Sequence, residues 1–316
     1  MRRDHPDFQG IAGMSLRFVT LDVFTDRAYA GNPLAVVLGA DAVSARAMQV
    51  IAREFNLSET IFVQAPVNPD HTARVRIFFP AGEIPFAGHP TIGCAIHLAT
   101  ADHPEGDFEV ELRLEEEAGL VPVRVWRRGD RVQAELTAPV VPQAAPGTAP
   151  PALLAAALDL PEAAIGFGHH APAVWQGGPA FLYVPVADLA ALARARPIEP
   201  HWSALMEAAG VDSAYLYTPE EVPGWDFRAR MFSPGTGIPE DPATGSATAI
   251  LAAQLRAARA LPMGTATFRI RQGVEMGRAS ALCLSVDHGR DGITAVRISG
   301  AAVPISEGRI VPPEEE

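Results

Sequence analysis

The sequence predicts an α+β protein of two similar halves, each a β-sheet wrapped around one buried helix. Three observations carry this expectation. First, the stretch 76–99, RIFFPAGEIPFAGHPTIGCAIHLA, returns at 230–253 as RMFSPGTGIPEDPATGSATAILAA. The copies match at Arg76/Arg230, Phe78/Phe232, Pro80/Pro234, Ile84/Ile238 and Pro85/Pro239, and after a three-residue slip at Gly88/Gly245, Thr91/Thr248 and Ala95/Ala252. Each copy reads as a short apolar strand, a Pro-bounded loop, a glycine turn and a long apolar helix. Second, both helices are apolar on nearly every side, which suits a helix in the middle of a domain. Third, residues 141–151, VPQAAPGTAPP, form a Pro/Ala-rich linker. The boundaries follow: residues 14–140 with roughly 296–310 as one domain, residues 141–295 as the other, and residues 1–13 as an extension before the first strand.

In chain order, Leu16 to Phe24 alternates and is rich in β-branched and aromatic residues, so it reads as a strand, with Pro33 to Leu38 its hairpin partner. Ser44 to Phe55 places Ala47, Met48, Ile51, Ala52 and Phe55 at helical spacing, with Ser44 as N-cap and Asn56 as terminator. Strands are expected from Thr60 and over Val75 to Phe79, then a buried helix over Thr91 to Thr100. Two strands around the Gly129-Asp130 turn complete the first half. In the second half, helices are expected over Leu153–Leu158, Asp188–Ala195 and Trp202–Ala209, and strands over Phe181–Val186 and Ala214–Tyr217. A second central helix over Ser246–Leu261 precedes a closing pair of strands joined by a Gly-rich turn.

Composition excludes several classes. A formal net charge of −12 argues against non-specific nucleic-acid and anionic-membrane binding, which need a cationic surface. All 25 basic residues are arginines; without lysine there is no internal Schiff base and no P-loop lysine. Cys94 and Cys283 are too few for a disulfide framework and have no metal-ligand spacing around them. No apolar run is long enough to span a membrane, and residues 1–13 lack the apolar centre of a signal peptide, so a cytoplasmic protein without metal is expected.

Two glycine turns that open helices present two sets of unpaired backbone N–H groups, and if the halves face one another these converge on one small anion. His89 directly follows the first such glycine; Asp241, Gly245 and Ser246 surround the second. Capping is the alternative reading of His89, Asp241 and Ser246. Glu59 lies in an apolar segment, where burial would raise its pKa from about 4.3 toward neutrality and make it a general acid/base. Asp22, Glu83 and Glu240 are rivals. Asn32 and the Gln272-Gly273 and Gly277-Arg278 pairs suit either substrate contacts or turns.

Taken together, GNPLAVVL, NLSETIFV, FFPAGEIPFAGHPTIGCA, EDPATGSA and the later Gln272, Gly273, Gly277, Arg278 and Ser280 resemble the phenazine-biosynthesis PhzF-like isomerase family of the diaminopimelate-epimerase superfamily, over Leu16 to Ile305. The resemblance implies the diaminopimelate-epimerase-like fold, an active site in the cleft between its halves, and a homodimer. It places the family's catalytic glutamate on Glu59, further polar site positions on His89, Asp241 and Ser246, and backbone donors on Gly88 and Gly245; Asn32 and Ser58 join the substrate-binding set. The implied reaction is cofactor-independent movement of a proton on a small amino- or hydroxy-carboxylate. Two alternatives stand beside it: a two-thiol racemase, disfavoured because neither cysteine lies at a helix mouth, and a carboxylate-binding protein without chemistry.

Overall fold

The computed structural model describes residues 15–314; the extension expected over residues 1–13 lies outside them. The chain begins as expected, with β1 (Leu16–Val23) and β2 (Asn32–Leu38) paired antiparallel. In α1 (Ala45–Phe55) the Ser44 hydroxyl accepts the Ala47 N–H at 3.3 Å, and Asn56 closes the helix in the left-handed region at φ 50°, where Asn is tolerated better than most residues. β3 (Glu59–Gln64) runs parallel to β2 and antiparallel to β4 (Ala73–Phe79), which turns into β5 (Gly82–Ile84).

Helix α2 (Gly88–Asp102) starts at Gly88, three residues before the expected Thr91. The first turn accommodates Pro90 because its missing N–H would have had no intrahelical partner. Three strands follow where two were expected: β6 (Phe108–Glu116), β7 (Gly119–Arg128) and β8 (Arg131–Thr137), paired in antiparallel sequence. In β6 the outward Glu109, Glu111 and Arg113 alternate with inward Phe108, Val110, Leu112 and Leu114, a period-2 pattern that marks a half-buried strand.

The linker contains a short β9 (Gln143–Ala144), and α3 (Pro151–Leu158) follows. Strands β10 (Ala173–Gln176) and β11 (Ala180–Pro185) lead to α4 (Leu189–Arg194), capped by Asp188, and α5 (His201–Ala209). Then come β12 (Ala214–Pro219), β13 (Phe227–Ser233), β14 (Ile238–Asp241) and α6 (Gly245–Ala257). Helix α6 stops short of the expected Leu261, with Arg259 at φ 58° just past its end. β15 (Gly264–Gln272) was not foreseen; β16 (Ser280–Gly289) and β17 (Gly292–Ile310) form the expected closing pair. β17 pairs in turn with β16, β8 and β1, and so stitches the last strand of the chain to the first.

Helix α2 packs against β1, β2, β3, β6, β7, β8 and β17, and α6 against β9, β10, β11, β16 and β17. Their buried residues share one hydrophobic cluster; each fully buried isoleucine in it contributes about 1.5–3 kcal/mol. The repeat also has a shared inner contact. Arg76 grips Glu83 through two hydrogen bonds of 2.7 Å, and Arg230 grips Glu240 through two of 2.9 Å. Each guanidinium lies over the repeat's phenylalanine, Phe78 or Phe232.

Beneath α2, the Thr91 hydroxyl lies 2.6 Å from Glu116 Oε1 and also reaches the Ala87 carbonyl. Burial raises the Glu116 carboxyl to about 8, against about 4.3 in an unfolded chain. Between those values the folded chain holds a proton that the unfolded chain has lost, so this group's stabilising effect is full below about pH 4 and declines up to about pH 8. Glu116→Gln is therefore expected to raise Tm at about pH 8 and to change it little at about pH 4, as thermal melts at the two values would show.

Candidate active site

The two helix mouths meet. A Cβ on Gly88 would stand 3.3 Å from Gly245 Cα and 3.5 Å from Ser246 N, so only glycine lets the backbones come this close. Neither N-cap residue, Ala87 for α2 or Thr244 for α6, caps its helix through its side chain. The first-turn N–H groups of both helices thus lack side-chain partners at a point where both dipoles present their positive ends. Ser246 lies half-buried in the first turn of α6. The capping reading fails for His89, which is the second residue of α2, and for Asp241, which precedes the cap residue of α6.

Around these mouths, β2, β3, β14 and α2 bring five of the sequence candidates together. Asn32, fully buried at the start of β2, donates from Nδ2 to Asp241 Oδ1 at 2.8 Å and to the Ala243 carbonyl at 3.0 Å, and lies 3.4 Å from His89 Nδ1. Ser58 Oγ donates to the same Asp241 oxygen at 3.4 Å, and Thr244 Oγ1 donates to the other. Asp241 therefore has three side-chain donors. Glu59 opens β3 with 16% of its side chain exposed, and its Oε2 lies 3.4 Å from His89 Nδ1.

Burial sets the charges. It pushes the Glu59 carboxyl well above the usual carboxylate range, and the negative charge of Asp241 adds to the rise. Asp241 is raised too, by its own burial, but the hydrogen bonds from Thr244, Asn32 and Ser58 pull it back. Negative charge settles where the donors are, so Asp241 is the ionised member and Glu59 keeps its proton. His89 is lowered to about 3 by burial, against a backbone hydrogen bond to Pro33, and is a neutral imidazole. Three buried polar atoms here have no hydrogen-bond partner: Glu59 Oε2, His89 Nε2 and Asn32 Oδ1. Such orphans are costly in a core and mark atoms with an external partner to find.

The rivals are committed elsewhere. Asp22 pairs with Arg278, Glu83 with Arg76 and Glu240 with Arg230. Arg278 also holds the Ala30 and Gly31 carbonyls, which fixes the loop leading into Asn32. Gln272 is fully buried beneath the Asp241–Thr244 segment. The sequence reading missed Thr244 as the third donor to Asp241; the signal was its spacing, three residues after a buried aspartate.

Cys94 is buried inside α2 with its thiol pushed up by burial, and Cys283 lies half-buried in β16. Replacing both by alanine is expected to leave turnover within about twofold of the parent, since a thiol that stays protonated is no nucleophile or base. Loss of turnover with an intact fold, by assay and circular dichroism, would restore the thiol reading. His170 is engaged with the Tyr217 hydroxyl at 2.7 Å. Among the described residues no three His, Cys, Asp or Glu side chains are grouped to hold a metal ion, and no helix is long and apolar enough to cross a membrane.

The sequence profile of the phenazine biosynthesis-like protein family matches residues 21–308. The chain belongs to that family. It is thereby an enzyme of an isomerase family. Among its relatives, an uncharacterized isomerase of Mesorhizobium japonicum is 41% identical over 93% of this chain and 98% of its own length. A trans-2,3-dihydro-3-hydroxyanthranilate isomerase of Pseudomonas aeruginosa is 36% identical, again over 93% of this chain and 98% of its own. The fold is that of a phenazine biosynthesis protein of the PhzF family from Bacillus anthracis, with a TM-score of 0.83 at 22% identity over 94% of this chain and 99% of that one. The fold gathers Asn32, Glu59, His89 and Asp241 at one place.

Proposed function

We propose that this isomerase moves a proton between carbons of a small amino- or hydroxy-carboxylate, without a cofactor, with Glu59 as the acid/base. The observation that carries the reading is the set of partnerless buried atoms on Glu59, His89 and Asn32 beside two uncapped helix mouths. In this mechanism the substrate carboxylate lies on the N–H groups around Gly88, Gly245 and Ser246, where the dipoles stabilise negative charge. The Glu59–Asp241 pair carries one proton between two carboxyls. With that proton moved onto Asp241, Glu59 is an anionic base that takes hydrogen from an activated C–H and returns it at another carbon. Neutral His89 hydrogen-bonds the substrate's amine or hydroxyl. The same reading takes the chain as two equivalent halves, residues 14–140 with 296–310 and residues 141–295, each sheet wrapped around α2 or α6; the matched Arg76–Glu83 and Arg230–Glu240 grips support it.

The relative from P. aeruginosa makes trans-2,3-dihydro-3-hydroxyanthranilate the first compound to try. The experiment is proton NMR in D2O on a panel of small amino and hydroxy carboxylates that includes it. Deuterium entering one compound at a defined carbon supports the proposal. Ligand-dependent gain in Tm with no exchange across the panel would point to a binding protein instead.

A further inference from the structure

Asp241 owes its charge to hydrogen bonds, and one of these is itself directed from a deeper layer. Gln272 ends β15 with no exposed surface. Its Oε1 accepts the Thr244 N–H at 3.1 Å, while its Nε2 donates to the Asp241 carbonyl at 2.8 Å and to Thr244 Oγ1 at 2.9 Å. The carboxamide thus spans the four-residue segment Asp241–Thr244 that leads into α6. A hydroxyl has one proton to give. Because Thr244 Oγ1 receives from Gln272, its own proton is turned toward Asp241 Oδ2, where the bond is found.

We infer that Gln272 is a positioning residue that directs the Thr244 hydroxyl proton onto Asp241, and thereby keeps the negative charge of the carboxyl pair on Asp241 and the proton on Glu59. The inference rests on the proton-transfer reading for its consequence in turnover, but not for its physical content. The titratable groups facing Asp241 are Glu59 from β3, His89 from α2, the adjacent Glu240 and Tyr215 from β12. Glu240 is held by Arg230, and the Tyr215 hydroxyl lies 3.3 Å from Thr248. None of the four hydrogen-bonds to Gln272, which is uncharged at every pH and acts only through its amide. Without that amide the Thr244 hydroxyl is free to rotate, Asp241 loses a donor, and the two carboxyls move toward sharing the charge.

The test is a pH titration of the side-chain carboxyl carbons of Glu59 and Asp241 by NMR in the full chain, for the parent, Gln272→Met, Thr244→Val and the double variant. In Gln272→Met the Asp241 midpoint is expected to rise and the Glu59 midpoint to fall, each by about one pH unit. Thr244→Val should do the same, and adding Gln272→Met to it should change nothing further, since the two act in series. On a substrate found by the exchange panel, Gln272→Met should raise kcat by up to about tenfold, because more of the pair carries its charge on Glu59, and leave KM near the parent value. Both midpoints falling together would mean water entering a loosened site, and unmoved midpoints with a lower Tm would mean mere support of the fold; either overturns the inference. So does a Gln272→Met shift that persists in the Thr244→Val background. If Gln272→Met fails to fold, Thr244→Val alone decides: no shift there refutes the directed proton. The titrations use no substrate, so they succeed or fail separately from the proton-transfer reading, which the exchange experiment tests.

Discussion

Glu59→Gln is expected to abolish deuterium exchange into the substrate, a loss of at least about 10²–10⁴-fold, while the protein stays folded. The amide has the carboxyl's shape and can neither take nor return a proton. Stability is expected to hold or rise, because burial and the Asp241 charge already keep Glu59 in its neutral form, which glutamine imitates. Exchange followed by NMR in D2O, beside a thermal melt, checks both halves of the statement. Exchange retained in the variant would remove Glu59 from the role and leave His89 as the candidate base.

Gly88→Ala carries the second large effect. The new methyl would meet Gly245 Cα at 3.3 Å, and that atom belongs to the backbone of a buried helix rather than to a side chain able to turn away. Overpacking of this kind costs about 1–3 kcal/mol. The larger consequence is geometric: separating the mouths by a few tenths of an ångström misplaces both sets of N–H donors, and displacements of about 1 Å in a site lower rates by about 10². A fall in kcat/KM of up to about 100-fold with a modest fall in Tm is expected. Gly93→Ala is the control. Its methyl would lie 2.6 Å from Leu34 Cδ2 and 2.7 Å from Val23 Cγ2, side-chain atoms within the core, so it should lower Tm while leaving turnover close to the parent. Equal loss of activity in both variants would mean that the glycine contact serves folding alone.

Local signals made much of the chain legible. Ser44 caps α1 as its side chain requires, Asn56 closes it in the left-handed region, and the apolar circumference of α2 and α6 announced their burial. Strands with charged outer faces escaped notice. Yet β6 and β15 have apolar residues on one side only, and their alternation with outward charged residues, over Phe108–Leu114 and Phe268–Arg271, is the signal that defines a half-buried strand.

For the site, the sequence alone determined which residue types were present and where: a glutamate in an apolar segment, a histidine after a glycine, an aspartate three residues before a threonine, and a repeat that put a glycine at the start of each long apolar helix. Those are short-range features, readable because each depends on a few neighbours. Tertiary structure decided the rest. Asn32 and Asp241 lie 209 positions apart, yet their 2.8 Å hydrogen bond helps to make Asp241 the charged carboxyl and Glu59 the neutral one. The approach of Gly88 to Gly245 and the engagement of Asp22, Glu83 and Glu240 by arginines arise likewise from packing. Charge state follows burial and the count of donors at each oxygen, and neither exists until β2, β3, β14 and α2 have come together.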